Sequence, residues 1–203
     1  MMPKVLGRSS SNNVQKILWL LDELGIAFVQ EEYGGPIGKT RTPDYLKLNP
    51  NGTVPTLVDE TFSLWESNAI LRYLAAKHAS SLFPTDLQQR ANVDKWLDWQ
   101  LGTLSPAFRP VYIAMVRNGK SLAETAATAA PARELFWQLD RMLESQPYIA
   151  GGTLTLADIA IGPMLYRWYK LGLADAATVD LQGLLQRLES RPAFARHVMV
   201  ALA

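Results

Sequence analysis

The stretch LNPNGTVPTLVDETFSLWESNAI, residues 48–70, carries the strongest structural signals in the chain. It holds a proline, Pro55, at the start of a run rich in β-branched residues. It also holds an acidic and hydroxylic pair, Glu66 and Ser67, at the start of an amphipathic helix. Proline removes a hydrogen-bond donor from a sheet, so it belongs at the start of a strand or at an edge. Between the two motifs, residues 56–58 and 62–64 predict a β-hairpin.

The proline corner and the helix start offer complementary groups to a peptide. A cis Val54-Pro55 bond is accessible, because X-Pro bonds favour trans by only about 0.5–1 kcal/mol. It would turn the N–H and C=O of Val54 outward, where they could pair with a bound peptide backbone as an added strand does. The helix-start N–H groups and the Ser67 hydroxyl form a carboxylate site, and Glu66 supplies the opposite charge for an amine. A ligand with an α-amino acid head group joined to a short peptide satisfies all of them.

The segments NPNGTVPTL and LWESNAILRYL resemble the N-terminal domain of the glutathione S-transferases. In that family the VP and ES pairs contact the cysteinyl and γ-glutamyl parts of glutathione. The resemblance therefore implies a thioredoxin-like α/β domain with glutathione as co-substrate. It places Val54, Pro55, Glu66 and Ser67 in the glutathione site.

The residues around this stretch complete the α/β domain, expected over residues 1–79. A strand, helix and strand in succession imply a parallel crossover. The predicted elements are a strand at 4–7, a helix from Val14 to Gly25, a strand at 26–29, a glycine-rich basic loop at 33–42, a helix at 43–48, a turn at 49–52, the hairpin, and a helix at 66–77.

The remainder of the chain reads as helical, after a linker at residues 80–86. One long helix from Leu87 to about Met115 should be kinked or interrupted by Pro106 and Pro110. Further helices are expected at 121–143, at 155–170, at 181–188 and at 192–202. The sequence TLAD at 155–158 predicts a capping box in which the Asp158 carboxylate is structural. An α/β domain followed by an all-α domain at 87–203 matches the transferase architecture across essentially the whole chain.

Ser11 is the candidate catalytic residue. It precedes the first helix, where unpaired N–H groups and the helix dipole favour negative charge. A free thiol with a pKa near 8.5 is only about 3% thiolate at neutral pH. A hydroxyl hydrogen bond to sulfur, helped by the helix end, could lower that pKa by about two units, or roughly 2.7 kcal/mol. Ser11 would hold the glutathione thiolate, which is itself the nucleophile.

The choice of Ser11 rests on the family pattern, since serine-type members place the active serine shortly before a Val-x-Arg-Val-like helix start. The sequence VQKI at 14–17 is similar to that start. The alternatives that stay open for the contact to sulfur, or for a redundant helix cap, are Ser9, Ser10 and the amides of Asn12 and Asn13.

Further ligand contacts follow from the resemblance. Lys39 lies where the family commonly places a cation for the glycine carboxylate of glutathione, and Asn51 could orient the peptide. A solvated loop lysine and an ordinary turn asparagine are the alternatives. The second substrate should be an apolar electrophile bound between the domains. Its candidate pocket residues, some of which could instead be core, are Arg8, Arg109, Tyr112, Met115 and Trp168.

Composition excludes several classes of function. A formal net charge of +1 gives no reason to expect nucleic acid or an anionic membrane as a partner. The absence of cysteine excludes disulfides, thiolate zinc sites and a protein thiol nucleophile. We expect no metal site, and we interpret His78 and His197 as surface residues. Without a leader-like or membrane-spanning apolar run, a cytoplasmic location is expected.

The leading hypothesis is a bacterial- or theta-like glutathione S-transferase that activates the thiol for attack on an apolar electrophile. A glutathione-dependent peroxidase, isomerase or lyase needs the same thiolate and differs only in the second pocket. A non-catalytic binding module on the same fold is the alternative from another class. The resemblance also implies a homodimer, with Arg72, Tyr73, Arg90 and Asp94 as candidate interface residues.

Overall fold

The computed structural model describes residues 2–202, which fall into two units. Unit 1 runs to Ser80 and also takes in Ala193–Ala201, whereas unit 2 covers Ser81–Pro192. Unit 1 contains a four-stranded sheet with helices, and unit 2 is all-helical. This confirms the predicted order of an α/β fold followed by an all-α region. No helix within residues 2–202 is long and apolar enough to cross a membrane.

The sheet of unit 1 has the strand order β2-β1-β3-β4. The strands are β1 (Lys4–Leu6), β2 (Val29–Glu31), β3 (Thr56–Asp59) and β4 (Phe62–Trp65). β1 pairs in parallel with β2, as the crossover predicted, and the other pairs are antiparallel.

The second strand was expected at residues 26–29, and that boundary is wrong. The N–H of Ile26 donates to the carbonyl of Leu21 and so still belongs to the end of the preceding helix. Pairing with β1 begins only at Val29, opposite Lys4. The short apolar run before Val29 is therefore a connection rather than a strand.

Three helices complete the main part of unit 1, namely α1 (Asn12–Glu23), α2 (Pro43–Leu48) and α3 (Ser67–Lys77). The apolar positions Val14, Ile17, Leu18 and Leu21 are buried, as their helical spacing predicted. Gly25 follows α1 with a φ of 65°, a left-handed conformation that glycine adopts without steric cost. α1 packs against α3, so the starts of both helices are held by one core.

Unit 2 contains α4 (Leu87–Trp99), α5 (Ser105–Tyr112), α6 (Leu122–Leu143), α7 (Leu156–Lys170) and α8 (Val179–Glu189). The predicted long helix from Leu87 does continue, but π-helical turns at residues 100–104 and 113–117 interrupt its α-helical path. Pro106 lies just after the first turn and has no N–H to donate to residue 102. The expected interruption is confirmed next to Pro106 as a widened turn, whereas Pro110 lies inside α5 without interrupting it.

The chain ends with α9 (Pro192–His197), which is shorter than the predicted helix at 192–202. From Ala193 onward this segment belongs to unit 1. The ring of Phe194 meets the edge of Trp19 on α1 at a centroid distance of 4.8 Å. Arg196 forms an ion pair with Asp22 near the end of α1.

The interpretation of His197 as a surface residue is wrong. Only 14% of its side chain is exposed, and its Nε2 lies 3.1 Å from Oδ2 of Asp22. Burial lowers the pKa of His197, against an opposing effect of the Asp22 carboxylate. Its partner lies on α1, far away in sequence, so no local pattern could reveal the contact.

Candidate functional site

The sheet brings the proline corner and both helix starts to one end. In the ladder, Leu6 of β1 lies opposite Thr56 of β3, which in turn lies opposite Trp65 of β4. Because neighbouring strands are about 4.8 Å apart, the segments that leave these three residues emerge side by side. These segments are the stretch from Leu6 to Ser11 after β1, the Val54-Pro55 corner before β3, and Glu66-Ser67 after β4. The approach to Ser11, the Val54-Pro55 corner and Glu66-Ser67 thus lie at one end of the sheet.

The Val54-Pro55 bond is cis, the form that the sequence left accessible. Two glycines fit closely around the Val54 side chain. A Cβ on Gly7 would lie 3.2 Å from Val54 Cβ, and one on Gly34 would lie 3.1 Å from Val54 Cγ1. Within residues 2–202, neither the N–H nor the C=O of Val54 has a hydrogen-bond partner. Both groups are therefore available to a peptide ligand.

A buried hydrogen-bond network, which sequence reasoning missed, holds the loop before this corner. The Tyr45 hydroxyl donates to the carbonyl of Thr53 at 2.6 Å and lies 2.9 Å from Thr56 Oγ1. Asn49 Nδ2 donates to the same two residues at 2.9 and 3.1 Å. Burial raises the pKa of Tyr45, which keeps its hydroxyl protonated as a donor. The only local signal in the sequence was NPNG, which predicts a turn but does not indicate which residues Asn49 bonds to.

The start of α3 presents both signs of charge. Glu66, at the N-cap, has a φ of 70° and an exposed side chain, and its carboxylate has no partner among the described residues. A positive φ at a residue other than glycine stores strain and is often found at functional sites. Ser67 is only 5% exposed, and no acidic residue occupies the first turn of α3. The helix start can therefore bind a carboxylate while Glu66 faces an amine.

Ser11 is the N-cap residue of α1, with extended backbone at φ −78° and ψ 125°. A serine at this position usually accepts a hydrogen bond from the first turn of its helix. Here it makes no such cap, and its hydroxyl has no partner anywhere in residues 2–202. No acidic side chain lies in the first turn of α1. The hydroxyl is thus free to donate to an anion at the positive end of the helix.

The alternatives to Ser11 are arranged differently. Ser9 is exposed, and its N–H donates to the Glu32 carboxylate at 3.2 Å. Ser10 and Asn12 both take part in interactions within the chain. Asn13 is exposed on the first turn of α1. Of these residues, Ser11 combines partial burial with a free hydroxyl.

The other sequence-predicted residues of unit 1 lie in loops around the same end of the sheet. Lys39 is exposed with a φ of 67°, and its Nζ lies 5.5 Å from the centre of the Tyr33 ring. Asn51 is exposed, and its N–H and Nδ2 both donate to Asn49 Oδ1, which is ordinary turn geometry. The Arg8 guanidinium packs on Gly35, where a Cβ would lie 3.1 Å from Nη1.

The candidate pocket residues of unit 2 divide into two groups. Arg109 lines a cavity of about 510 Å³, whose other walls are Ser105, Pro106, Pro110 and Ile113. Tyr112 and Met115 are partly buried on the same helical path. Trp168 is only 1% exposed and stacks on Phe136 at 4.7 Å, so it belongs to the core of unit 2. Residues 2–202 contain no group of three or more His, Cys, Asp or Glu side chains placed to hold a metal ion.

Comparison with known proteins places this geometry in context. Residues 10–77 match the family model for the glutathione S-transferase N-terminal domain, and residues 123–198 match that for the C-terminal domain. Glutathione S-transferase GstB of Escherichia coli strain K12 is 37% identical, over 97% of this chain and 98% of the relative. Glutathione S-transferase D6 of Drosophila melanogaster is 29% identical, over 92% and 93% of the two chains.

Solved structures agree over the same extent. A theta class glutathione S-transferase from Xanthomonas axonopodis pv. citri, with glutathione bound, is 41% identical with a TM-score of 0.93. The match covers 99% of both chains. The glutathione transferase BmGSTD1 of Bombyx mori gives a TM-score of 0.90 at 26% identity, covering 98% of this chain and 93% of the other.

Proposed function

The chain belongs to the glutathione S-transferase family, and we infer that its own free groups at one end of the sheet bind glutathione and activate its thiol. The protein is a glutathione transferase with glutathione as its co-substrate. This inference rests on one observation. One end of the sheet holds three groups that a ligand could use, namely the unpartnered Ser11 hydroxyl, the unpaired Val54 backbone and the Glu66-Ser67 helix start.

We assign the parts of the tripeptide by chemical complementarity. The α-carboxylate of the γ-glutamyl group accepts from Ser67 and from the N–H groups at the start of α3, and its amine faces Glu66. The cysteinyl backbone pairs with the N–H and C=O of Val54, for which Pro55 sets the corner. Lys39 supplies a cation for the glycine carboxylate, with Asn13 and Asn51 as further polar contacts.

The chemical step follows from the position of Ser11. The Ser11 hydroxyl donates a hydrogen bond to the cysteinyl sulfur, and the start of α1 adds positive potential, so the thiolate is favoured over the thiol. The thiol proton leaves to solvent. The sulfur then forms a C–S bond to the electrophile, while a leaving group departs with its electron pair or, in an addition, a π bond breaks and its electron pair takes up a proton from solvent. Ser11 itself forms no covalent bond. The hydrogen bond and the helix start together lower the thiol pKa by about two units, which corresponds to roughly 2.7 kcal/mol of stabilisation of the thiolate relative to the thiol.

We propose that the electrophile occupies the cavity beside Arg109. Pro106, Pro110 and Ile113 give it apolar walls, which suits an apolar electrophile. The Arg109 guanidinium at its edge can hold a polar acceptor group of the substrate. Tyr112 and Met115 extend the same surface, and Trp168 supports it from the core of unit 2.

We also propose a homodimer and a cytoplasmic location. Phe62 on the edge strand β4 is 47% exposed and its ring centroid lies 5.4 Å from that of Tyr73, and such an exposed apolar side chain favours a partner chain near Arg72 and Tyr73. Arg90 and Asp94 are the candidates on α4. Sedimentation at the monomer mass of 22.6 kDa would contradict the dimer. A cytoplasmic location is supported by the need for reduced glutathione, which the cytosol maintains.

The test of the proposed function is direct. We expect calorimetry to show glutathione binding at micromolar to millimolar concentration, and assays with chlorodinitrobenzene to show conjugation that depends on glutathione. Oxidised glutathione, which has no free thiol, is the control ligand for the assay. Binding without turnover of any electrophile or hydroperoxide in a panel would contradict catalysis, and no binding at millimolar glutathione would contradict the site.

A further inference from the structure

Lys16 is a fully buried lysine on α1. It has no exposed surface, and its Nζ donates to Ser67 Oγ at 3.4 Å and to Asn68 Oδ1 at 3.3 Å. Both acceptors are the first residues of α3. Lysine is almost never fully buried unless its charge is partnered, because removing an ammonium from water is costly. A methionine of similar length would bridge the two helices without that cost.

The direction of these hydrogen bonds determines how Ser67 can act. An ammonium group has three donors and no acceptor, so Ser67 Oγ must accept from Lys16. The hydroxyl hydrogen of Ser67 is then left to donate to another group. Lys16 thereby orients Ser67 as a donor, which is the role that a bound carboxylate requires.

In its protonated form, Lys16 adds its charge to the potential of the helix start. The unpaired N–H groups and dipole of α3 already favour an anion, and no acidic residue opposes them in its first turn. A charge in the buried interior is screened much less than one at the surface. An anion at Ser67 therefore meets positive potential both from the helix and from the ammonium beneath it.

We propose that Lys16 is a positioning residue for glutathione, which acts through Ser67 to select ligands that carry the α-carboxylate of the γ-glutamyl group. This inference rests on the proposed glutathione site. Lys16 itself does not touch the ligand, because Ser67 and Asn68 lie between. A merely structural Lys16 would hold α1 against α3 and support every ligand of the site equally.

A pair of ligands separates the two roles. Calorimetry on the full-length protein would compare glutathione with its γ-aminobutyryl analogue, which keeps the amine and lacks only the α-carboxylate. We expect Lys16→Met to weaken glutathione binding about tenfold to a hundredfold, as for a lost hydrogen bond to a charged group, and to change binding of the analogue by less than about threefold. Lys47→Met, which removes an exposed lysine of unit 1, is the control and should leave both affinities unchanged.

Four outcomes overturn the inference. Equal loss for both ligands would make Lys16 structural, and unchanged affinity for both ligands would remove it from recognition. If Lys16→Met does not fold, Ser67→Ala tests whether Lys16 acts through Ser67. If Ser67→Ala still prefers glutathione over the analogue without the α-carboxylate, Lys16 does not act through Ser67. If the wild type binds neither ligand, the proposed function fails as well, so the two failures can be told apart.

Discussion

At the scale of single residues, the informative feature of Ser11 is a hydrogen bond that it does not make. A serine at a helix N-cap normally satisfies one of the first N–H groups of its helix, which contributes about 1 kcal/mol to stability. Ser11 gives up that bond and keeps a free hydroxyl. The helix start is thus left to stabilise another group, and we propose that this group is the thiolate of glutathione.

The prediction for Ser11 concerns the pKa of bound glutathione. In Ser11→Ala we expect that pKa to rise by about two units toward the free value, because the hydroxyl hydrogen bond to sulfur is lost. Ultraviolet absorbance of the bound thiolate, titrated from acidic to alkaline pH, measures it, and the pH profile of kcat/KM should shift with it. Ser9→Ala is the matched control. Unchanged thiolate formation in Ser11→Ala would remove this residue from the mechanism.

At the scale of elements, the capping box of α7 shows how a buried carboxylate starts a helix. Asp158 is 0% exposed and accepts from the N–H of Thr155 at 2.8 Å and from the N–H of Ile149 at 2.9 Å. Burial raises the pKa of Asp158 to about 6, although these donors act in the opposite direction. The sequence predicted the box, and the fold added the tie to Ile149.

The raised pKa predicts a pH dependence of stability. The folded state binds a proton at Asp158 up to about pH 6, whereas the unfolded chain releases it near 3.9. The contribution of Asp158 is therefore fully present below about pH 4 and falls by roughly 2–3 kcal/mol as the pH rises through 6. Urea unfolding measures the free energy of unfolding of the wild type and of Asp158→Asn, whose side chain cannot titrate. The difference between the two free energies should change by about that amount between pH 4 and 7. A constant difference from pH 4 to 7 would contradict it.

At the scale of the whole molecule, the chain returns to its first unit at its end. Phe194 is 0% exposed against Trp19, and Arg196 and His197 both contact Asp22. The helix α1, which carries Ser11 and Lys16, is therefore stabilised by residues from the far end of the sequence. We therefore expect the proposed glutathione site to depend on the C-terminal segment.

This arrangement predicts that Phe194→Ala destabilises unit 1 by about 3–5 kcal/mol, because it leaves a cavity beside Trp19. Hydrogen exchange of the α1 amides should accelerate, and thermal unfolding should begin at a lower temperature. Met199→Ala, which alters a 40% exposed side chain of the same segment, should change stability by no more than about 0.5 kcal/mol. Equal protection of α1 in Phe194→Ala and the wild type would show that the segment does not support the helix.

The sequence by itself determined the features that depend on neighbouring residues. The bounds of α2, the buried face of α1, the proline corner and the capping box at Asp158 all follow from periodicity, turn residues or caps. Such signals act over a few residues, so one chain displays them. Motif resemblance added the family and the glutathione co-substrate.

Only the tertiary structure decided which distant residues meet. It placed β2 at Val29–Glu31, buried Lys16 beneath Ser67, tied Asn49 and Tyr45 to the proline corner, and returned α9 to α1. Each of these depends on a partner outside the local element, selected by how whole elements pack. Hydrophobic periodicity identifies the face that is buried but not the surface that it is buried against, and that is why these contacts had to be seen in the fold.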